Sequence, residues 1–325
     1  MRARYLIRLA AAASSFAILL TVLSRAGFKI DSLIEASLLA MTPLALAAMG
    51  EAVNEKGGLV NIGLEGIFLI SATIGVYAAE VSGNGWIGLA AGFAVGAFIG
   101  LIFGVLSVYG KADQIIVGIG INIFAIGFVP YFILAIWGVP GIHIPPKEVL
   151  VQRINTPIIN ISHITILAVI LAVLLNYMLK RTPLGLRIRA AGEAPEALDA
   201  AGVSIARTRI FGAVVSGALT GLGGAFMPLV WFGGIVKEIS AGRGFIALAV
   251  LVASGLDPLK ALGFAFLFGF AEGLAYVVAI TPGIKEAVPY HLVLMIPYII
   301  TLVVVAIFIG KASFPKSIGK PYKRE

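Results

Sequence analysis

Long apolar stretches, interrupted by short polar connections, recur along the whole chain. Each stretch approaches the length of about 20 residues that an α-helix needs to cross a bilayer. The pattern predicts ten membrane-spanning helices, near residues 6–25, 32–50, 58–79, 86–109, 114–137, 163–180, 210–231, 241–256, 259–280 and 291–310. We therefore predict an all-α polytopic membrane protein in which residues 1–325 form a single transmembrane domain.

The first apolar stretch has a second interpretation. Arg2, Arg4 and Arg8 precede it, as basic residues precede the apolar core of a secretory signal peptide. However, no A-x-A-like cleavage site follows, and further apolar stretches come directly after it. We interpret the first stretch as an uncleaved membrane span.

The amino-acid composition is that of a membrane protein, and it limits the kinds of chemistry that the chain can perform. Of the 325 residues, 60% are hydrophobic and only 12% are charged, whereas charged residues make up about a quarter of an ordinary soluble domain. The mean hydropathy is +1.04. The chain has no cysteine, which excludes disulfides, thiolate metal ligands and cysteine nucleophiles, and its three histidines are scattered. We expect no metal and no cofactor.

The distribution of basic residues predicts the orientation in the membrane. Lysine and arginine concentrate in the cytoplasmic loops of membrane proteins. Most of the 24 basic residues lie in the N-terminal tail, in residues 180–209 and in the C-terminal tail, which ten spans place on one side. We predict a multi-pass protein of the inner or plasma membrane with both termini in the cytoplasm. The same bias accounts for the net charge of +8 without nucleic-acid binding.

The order of the spans is compatible with an inverted repeat. Spans two to five and spans seven to ten would cross the membrane in opposite senses. Residues 58–64 (GLVNIGL) and 242–248 (GRGFIAL) are weakly similar, and each opens the second helix of its half. Transporters with inverted repeats place the substrate path near the midplane, often beside glycine-interrupted helices. Both segments are therefore candidates for such a path.

Small residues form two ridges along predicted spans. They recur at every fourth position and lie on one helix face: Gly92, Gly96, Gly100 and Gly104 in one span, and Gly212, Ser216, Thr220 and Gly224 in another. Such ridges let helix backbones approach closely in lipid. We favour tight packing inside one subunit over a contact between two subunits.

Few polar residues lie within the predicted spans, and each is a functional candidate because its burial in lipid is costly. Asn61 and Glu65 are four residues apart and share a helix face. Aromatic side chains near the outer ends of two spans are suited to stacking on a ring. The candidates for a translocation path are Asn61, Glu65, Gln114, Asn122, Trp231, Phe245 and Glu272.

These residues also have a structural interpretation. Asn61 and Glu65 are equally suited to locking a glycine-rich turn to neighbouring helices. The aromatic side chains are more commonly anchors at the membrane surface. Sequence alone leaves the choice between path and packing open for the polar pair.

The connection over residues 181–209 is the longest cytoplasmic segment that the topology predicts. It contains a short acidic amphipathic helix near residues 195–201, set between glycines and framed by arginines, which favours docking of a partner over a plain solvated loop. No G-x-x-x-x-G-K-[ST] motif occurs in the chain, so any use of ATP requires a separate subunit. No catalytic arrangement of serine, histidine and acid is apparent either, and we expect a protein that is not an enzyme.

Four segments carry a family resemblance. They are GLVNIGLEG (58–66), RTPLGLRIRAAGEAPEALDAAGVS (181–204), SGALTGLGGAF (216–226) and SAGRGFIALAVLV (240–252). In this order and spacing, the chain from about residue 35 to 310 resembles the permease subunit of bacterial ABC importers for nucleosides and simple sugars, the class that includes ribose-type transporters.

The resemblance implies a ten-helix permease with several partners. These are cytoplasmic ABC ATPase subunits, a second similar permease or a second copy of this chain, and an extracytoplasmic substrate-binding lipoprotein. It also implies a coupling helix that docks in the ATPase, with the residues Gly192, Glu193, Pro195, Glu196, Asp199 and Gly202. Ala194 stands where the family usually has asparagine, so the helix loses its cap and its start is uncertain.

The expected solute is a neutral nucleoside, in preference to a pentose or hexose, carried by alternating access. Two rival functions stay open. A secondary transporter would use an ion gradient, with Glu65 or Glu272 as the proton carrier. A passive channel would need no energy source.

Overall fold

A computed structural model of the chain describes residues 21, 29–157, 159–280, 290–308 and 314–322. The first predicted span, over residues 6–25, lies almost entirely outside the described residues. All the candidate path and coupling residues lie within them.

The described part of the chain is mostly helical. Its helices are α1 (Ile30–Lys56), α2 (Leu64–Ser82), α3 (Gly85–Val108), α4 (Gln114–Trp137), α5 (His163–Arg181), α6 (Pro183–Glu193), α7 (Pro195–Ala200), α8 (Ile205–Phe226), α9 (Arg243–Ser254), α10 (Pro258–Ile280) and α11 (Tyr290–Phe308). A π-helical turn, Met227–Phe232, continues α8, and Lys147–Val149 form a 3-10 turn.

Four two-residue strands lie in the connections. They are β1 (Ile142–His143), β2 (Ile154–Asn155), β3 (Asn160–Ile161) and β4 (Ile235–Val236). Strand β1 pairs antiparallel with β4, and β2 pairs antiparallel with β3.

Within the described residues, seven helices are long and apolar enough to cross a membrane. They are α1 to α5, α8 with its π-helical continuation, and α10. The chain is thus an all-α polytopic membrane protein. Helix α9, in the predicted span 241–256, has only 12 residues, about 18 Å at 1.5 Å per residue. It is shorter than the hydrocarbon core of about 30 Å, so it cannot cross the bilayer alone.

Helix ends follow the local sequence. The side chains of Asp113, Ser162 and Ser204 accept hydrogen bonds from backbone N–H groups in the first turns of α4, α5 and α8, which satisfies donors that a helix start leaves free. Gly58 has a φ of +94° just after α1, a conformation that glycine adopts without strain. Helix α2 therefore starts at Leu64 and not at the predicted residue 58.

Two helices form the centre of the molecule. Helices α1 and α8 contact each other and are the most deeply buried of the seven, while α10 packs along α1 and α3 packs along α8. Helix α2 lies against α3, α4 and α8. Short helix α9 contacts α1 and α10.

The first glycine ridge packs inside the subunit. A methyl group on Gly96 would lie 2.6 Å from Gly221 Cα, and one on Gly217 would lie 2.8 Å from Gly100 Cα. The interface of α1 with α10 is equally close, since a methyl group on Gly269 would lie 2.9 Å from Met41 Cα. Glycine is thus required where these pairs of helices touch through their backbones.

A charged contact joins α5 to the start of α10. Asp257 accepts hydrogen bonds from the N–H groups of Leu259 and Lys260, both at 3.1 Å, and from Lys180 Nζ at 2.6 Å. Partial burial on its own would raise the pKa of Asp257, but the hydrogen bonds from Lys180 and Lys260 and their positive charges outweigh it. The pKa of this carboxyl therefore lies below its ordinary value.

Candidate functional site

The described structure contains a cavity of about 730 Å³ between α1, the π-helical turn, α9, α10 and α11. Its polar and aromatic lining residues are Ser32, Glu35, Arg153, Trp231, Phe232, Arg243, Glu272, Tyr276 and Tyr298. The volume lies in the range of small-molecule sites, about 300–1,000 Å³. Of the predicted path residues, Trp231 and Glu272 line it.

The four ionisable acidic and basic residues among the lining residues form two ion pairs. Arg153 NH1 lies 2.7 Å from Glu35 Oε1, and Arg243 NH2 contacts Glu272 Oε1. Glu35 Oε2 also accepts a hydrogen bond from Asn160 Nδ2 at 3.1 Å. The formal charges of these four groups cancel, which leaves a cavity that is polar but neutral.

Backbone carbonyls also hold the Arg153 guanidinium. Its Nε and NH2 donate to the carbonyl oxygen of Val230 at 3.2 and 3.1 Å, and NH2 donates to that of Trp231 at 3.1 Å. These carbonyls belong to the last turn before Gly233, where a helix end leaves acceptors without partners in the helix.

Arg243 is held in a similar way. Its NH1 donates to the carbonyl oxygens of Ile239 and Ser240 at 3.2 and 3.1 Å. Its guanidinium carbon lies 4.8 Å from the ring centroid of Trp231 and 5.4 Å from that of Phe232, in the range of cation–π contacts. The two rings stack on each other with centroids 4.3 Å apart and form an aromatic wall beside the cation.

Glu65 does not line the cavity but binds the helix start from which Arg243 extends. Glu65 Oε1 accepts hydrogen bonds from Ser240 Oγ at 2.6 Å and Gly242 N at 2.7 Å, and Oε2 accepts one from Gly244 N at 2.7 Å. A helix start has free N–H groups and a partial positive charge, both of which a carboxylate stabilises. Glu65 of α2 thus fixes the first turn of α9.

The amide candidates hold the non-helical backbone before α2 and the first turn of α2. Gln114 Oε1 accepts from Val60 N at 2.7 Å, and Asn61 Oδ1 accepts from Gly63 N at 2.8 Å. Asn122 accepts from Gly66 N at 2.8 Å and donates to the Ile62 carbonyl at 3.0 Å. Backbone outside a helix must find such partners when protein and lipid surround it.

These amides lie away from the cavity. Asn61 is fully buried, and neither Gln114 nor Asn122 lines the cavity. Phe245 is 52% exposed and does not line it either. The structure thus places six of the seven candidates in two groups, one at the cavity and one around the backbone of residues 60–66, and Phe245 belongs to neither.

Sequence reasoning missed three charged residues at these positions. Glu35 and Arg153 line the cavity. Glu51 is fully buried in α1, where Oε1 accepts from Asn61 N at 2.8 Å and Oε2 accepts from Ser216 Oγ at 2.6 Å. The position of Glu51 directly after the predicted span 32–50 could have marked it as a candidate in the sequence. In the structure, α1 continues to Lys56 and so includes Glu51.

The connection over residues 181–209, which contains the predicted coupling residues, folds as two short helices, α6 and α7, before α8 starts at Ile205. Helix α7 starts at Pro195 without a side-chain cap, as expected from Ala194. Glu193, Glu196 and Gly202 are exposed, Asp199 is half-buried, and Gly192 and Pro195 are buried.

The C-terminal segment, residues 314–322, packs on this region. Arg209, only 3% exposed, donates to the Ala191 carbonyl at 3.2 Å, Ser317 Oγ at 3.1 Å and the Lys320 carbonyl at 2.9 Å. Ser317 N donates to the Gly192 carbonyl at 2.9 Å. The C-terminal segment therefore connects the end of α6 to the start of α8.

Comparison with known proteins identifies relatives over most of the chain. Residues 33–305 match the family described as "Branched-chain amino acid transport system / permease component". The guanosine ABC transporter permease protein NupQ of Bacillus subtilis is 34% identical over 306 residues, which cover 89% of this chain and 96% of that protein. No solved structure matches the chain significantly.

Two other relatives carry different substrate names. The nucleoside ABC transporter permease protein NupC of Lactococcus lactis is 33% identical over 300 residues, covering 86% of this chain and 93% of NupC. The putative glucose ABC transporter permease protein TsgC13 of Haloferax volcanii is 30% identical over 254 residues, covering 74% of this chain and 76% of TsgC13.

Proposed function

This chain belongs to the permease-component family of the branched-chain amino acid transport system, and from that premise we propose that it is the membrane permease of an ABC importer for nucleosides. It forms the translocation path and performs no covalent chemistry. ATP hydrolysis takes place in separate ATPase subunits.

The proposed solute is inferred from the cavity, in which the charges of the lining residues balance. A nucleoside is neutral, has hydroxyl groups on its sugar and has a flat aromatic base. The neutral pairs of Glu35 with Arg153 and of Arg243 with Glu272 suit a solute without charge. The stacked rings of Trp231 and Phe232 suit a base more than a simple sugar. NupQ and NupC, named for guanosine and nucleosides, agree with this choice.

The proposed topology has ten membrane crossings, both termini in the cytoplasm and an inverted repeat. The eighth crossing combines the short helix α9 with the non-helical residues 233–242 before it. The packing supports the repeat, because α1 lies along α10 as α8 lies along α3, and α1 and α8 contact each other. In both halves, a non-helical segment separates the first helix from the second, α1 from α2 and α8 from α9. The Glu65 cap joins these two interruptions.

Alternating access connects the ATPase to the cavity. We assign α7 and its flanks, Gly192 to Gly202, as the coupling segment that docks in a cytoplasmic ATPase. A second, similar permease or a second copy of this chain completes the membrane unit. An extracytoplasmic binding lipoprotein delivers the nucleoside. Trp231 and Glu272 belong to the path, and Asn61, Gln114 and Asn122 position the backbone beside it.

Uptake of radiolabelled guanosine in cells that express the complete transporter tests this function. Deletion of the ATPase subunit should abolish accumulation, and collapse of the proton gradient at constant ATP should leave it intact. A secondary transporter would give the reverse result, and a passive channel would equilibrate guanosine without accumulating it. Either result would refute the proposal.

A further inference from the structure

We infer that Glu35 and Glu272 are specificity-determining residues that exclude phosphorylated nucleosides from the cavity. Each carboxylate neutralises an arginine that would otherwise bind a phosphate. The inference rests on the proposed function, because it assigns the selectivity of the same cavity.

Each arginine has anchors besides its carboxylate. Three hydrogen bonds to the carbonyls of Val230 and Trp231 hold Arg153. Two hydrogen bonds to carbonyls and the faces of two aromatic rings hold Arg243. Removal of a carboxylate would therefore leave a positioned guanidinium in the cavity wall.

An arginine without its carboxylate partner is suited to binding a phosphate. A guanidinium donates charge-assisted hydrogen bonds to a phosphate, and such bonds are stronger than those between neutral groups. Removal of the carboxylate would free Arg153 NH1 or Arg243 NH2 as the donor, because the other amino nitrogen of each arginine already donates to backbone carbonyls. A partly buried charge without a partner is also costly, so an anionic ligand that neutralises it is favoured. Arg153 and Arg243 each fit this description once the acidic partner is absent.

The two carboxylates act on an entering phosphate in two ways. Glu35 and Glu272 line the same cavity as the arginines, so a phosphate would lose the attraction of the cation and meet the repulsion of the anion. Selectivity of this kind comes from unfavourable contacts with the wrong ligand as much as from favourable contacts with the right one. A neutral nucleoside meets no such penalty.

A cysteine reporter tests the inference directly, because the native chain contains no cysteine. Ser32→Cys places a thiol in the cavity wall. The purified complete transporter is labelled with a maleimide, and the labelling rate is measured against increasing guanosine or guanosine 5′-monophosphate. In the Ser32→Cys protein, guanosine should slow labelling and the monophosphate should not.

In the Ser32→Cys background, Glu35→Gln or Glu272→Gln should make the monophosphate protective. We expect the half-protecting concentration to fall by about tenfold or more, since close charge pairs couple by more than the free energy of a tenfold change in affinity. Adding Arg153→Gln to Glu35→Gln should abolish this gain. Glu148→Gln, an exposed residue outside the cavity, is the matched control and should change nothing.

Failure of the inference is distinguishable from failure of the proposed function. If guanosine protects but neither glutamine variant gains monophosphate binding, the pairs only hold the structure and the inference is wrong. If a glutamine variant gains monophosphate binding while guanosine never protects, charge exclusion stands and the nucleoside assignment falls. If one glutamine variant does not assemble, the other decides, and assembly failure of both would overturn the inference in favour of a packing role.

Discussion

Gly96→Ala tests whether direct backbone contact between α3 and α8 holds the core together. The new methyl group would lie 2.6 Å from Gly221 Cα and 2.8 Å from Gly221 N. Carbon atoms in favourable contact are about 3.5–4.0 Å apart, so the two helices must separate by about 1 Å. The obstructing atoms belong to backbone and cannot rotate away.

The expected cost follows from two opposing terms. Overpacking of a close interface destabilises by about 1–3 kcal/mol, and the better helix propensity of alanine returns about 1 kcal/mol. We expect a net loss of up to about 2 kcal/mol in the free energy of unfolding. It should appear as a lower midpoint in thermal unfolding of the purified protein in detergent.

The control is Gly120→Ala on α4. Apart from the helix's own backbone and the two adjacent residues, no heavy atom lies within 4 Å of a methyl group there. Only the gain in helix propensity therefore applies, and the unfolding midpoint should stay the same or rise. If Gly96→Ala unfolds at or above the midpoint of Gly120→Ala, close packing does not determine the stability of this interface.

Three further changes test other contacts. Glu65→Ala removes the acceptor of three hydrogen bonds at the start of α9. The complex should still assemble, but guanosine uptake should fall at least about tenfold. Loss of assembly instead would assign Glu65 to packing. Arg209→Ala should release the C-terminal segment. A maleimide should therefore react several-fold faster with Ser317→Cys in the Arg209→Ala protein than with Ser317→Cys alone. An equal rate would contradict the anchoring role of Arg209. Asp257→Asn should lower the unfolding midpoint at pH 7 because it weakens the contact with Lys180.

The pH dependence of the Asp257 contact has a definite sign. Because the folded-state pKa of Asp257 lies below its ordinary value, the ionised carboxylate contributes stability above the unfolded pKa of about 3.9. That contribution is lost as the pH falls through the folded-state pKa. The difference in midpoint between the native protein and Asp257→Asn should therefore shrink below about pH 4. A difference that grows on acidification would contradict this account.

Local patterns in the sequence predicted most of the helices but not α6, although Thr182 caps it and Pro183 opens it. The four-residue spacing of Gly92, Gly96 and Gly100 correctly indicated packing within the subunit, because helical periodicity puts these positions on one face. Ala194 correctly indicated a helix start without a side-chain cap. The hydropathy pattern located the apolar segments but not the residues at which the helices begin and end, as the late start of α2 at Leu64 shows.

The cavity itself was not predictable from local patterns. Glu35 and Arg153 are separated by 118 positions, and only tertiary packing brings them together. Glu65 and Gly242 are separated by 177 positions, yet they form one helix cap. A single sequence reveals that such polar residues are costly in lipid, but it does not reveal which partner satisfies each of them.

In the proposed function, a cytoplasmic ATPase drives this permease through α7. Glu196 is exposed on α7 and Ser82 is exposed at the end of α2, which the proposed topology places on the opposite side. The most direct measurement is therefore maleimide labelling of Glu196→Cys and Ser82→Cys, one at a time, with a reagent that does not cross membranes. In intact cells we predict labelling of Ser82→Cys alone. In inverted vesicles we predict labelling of Glu196→Cys, slowed when the ATPase is bound. Labelling of Glu196→Cys in intact cells would contradict the account.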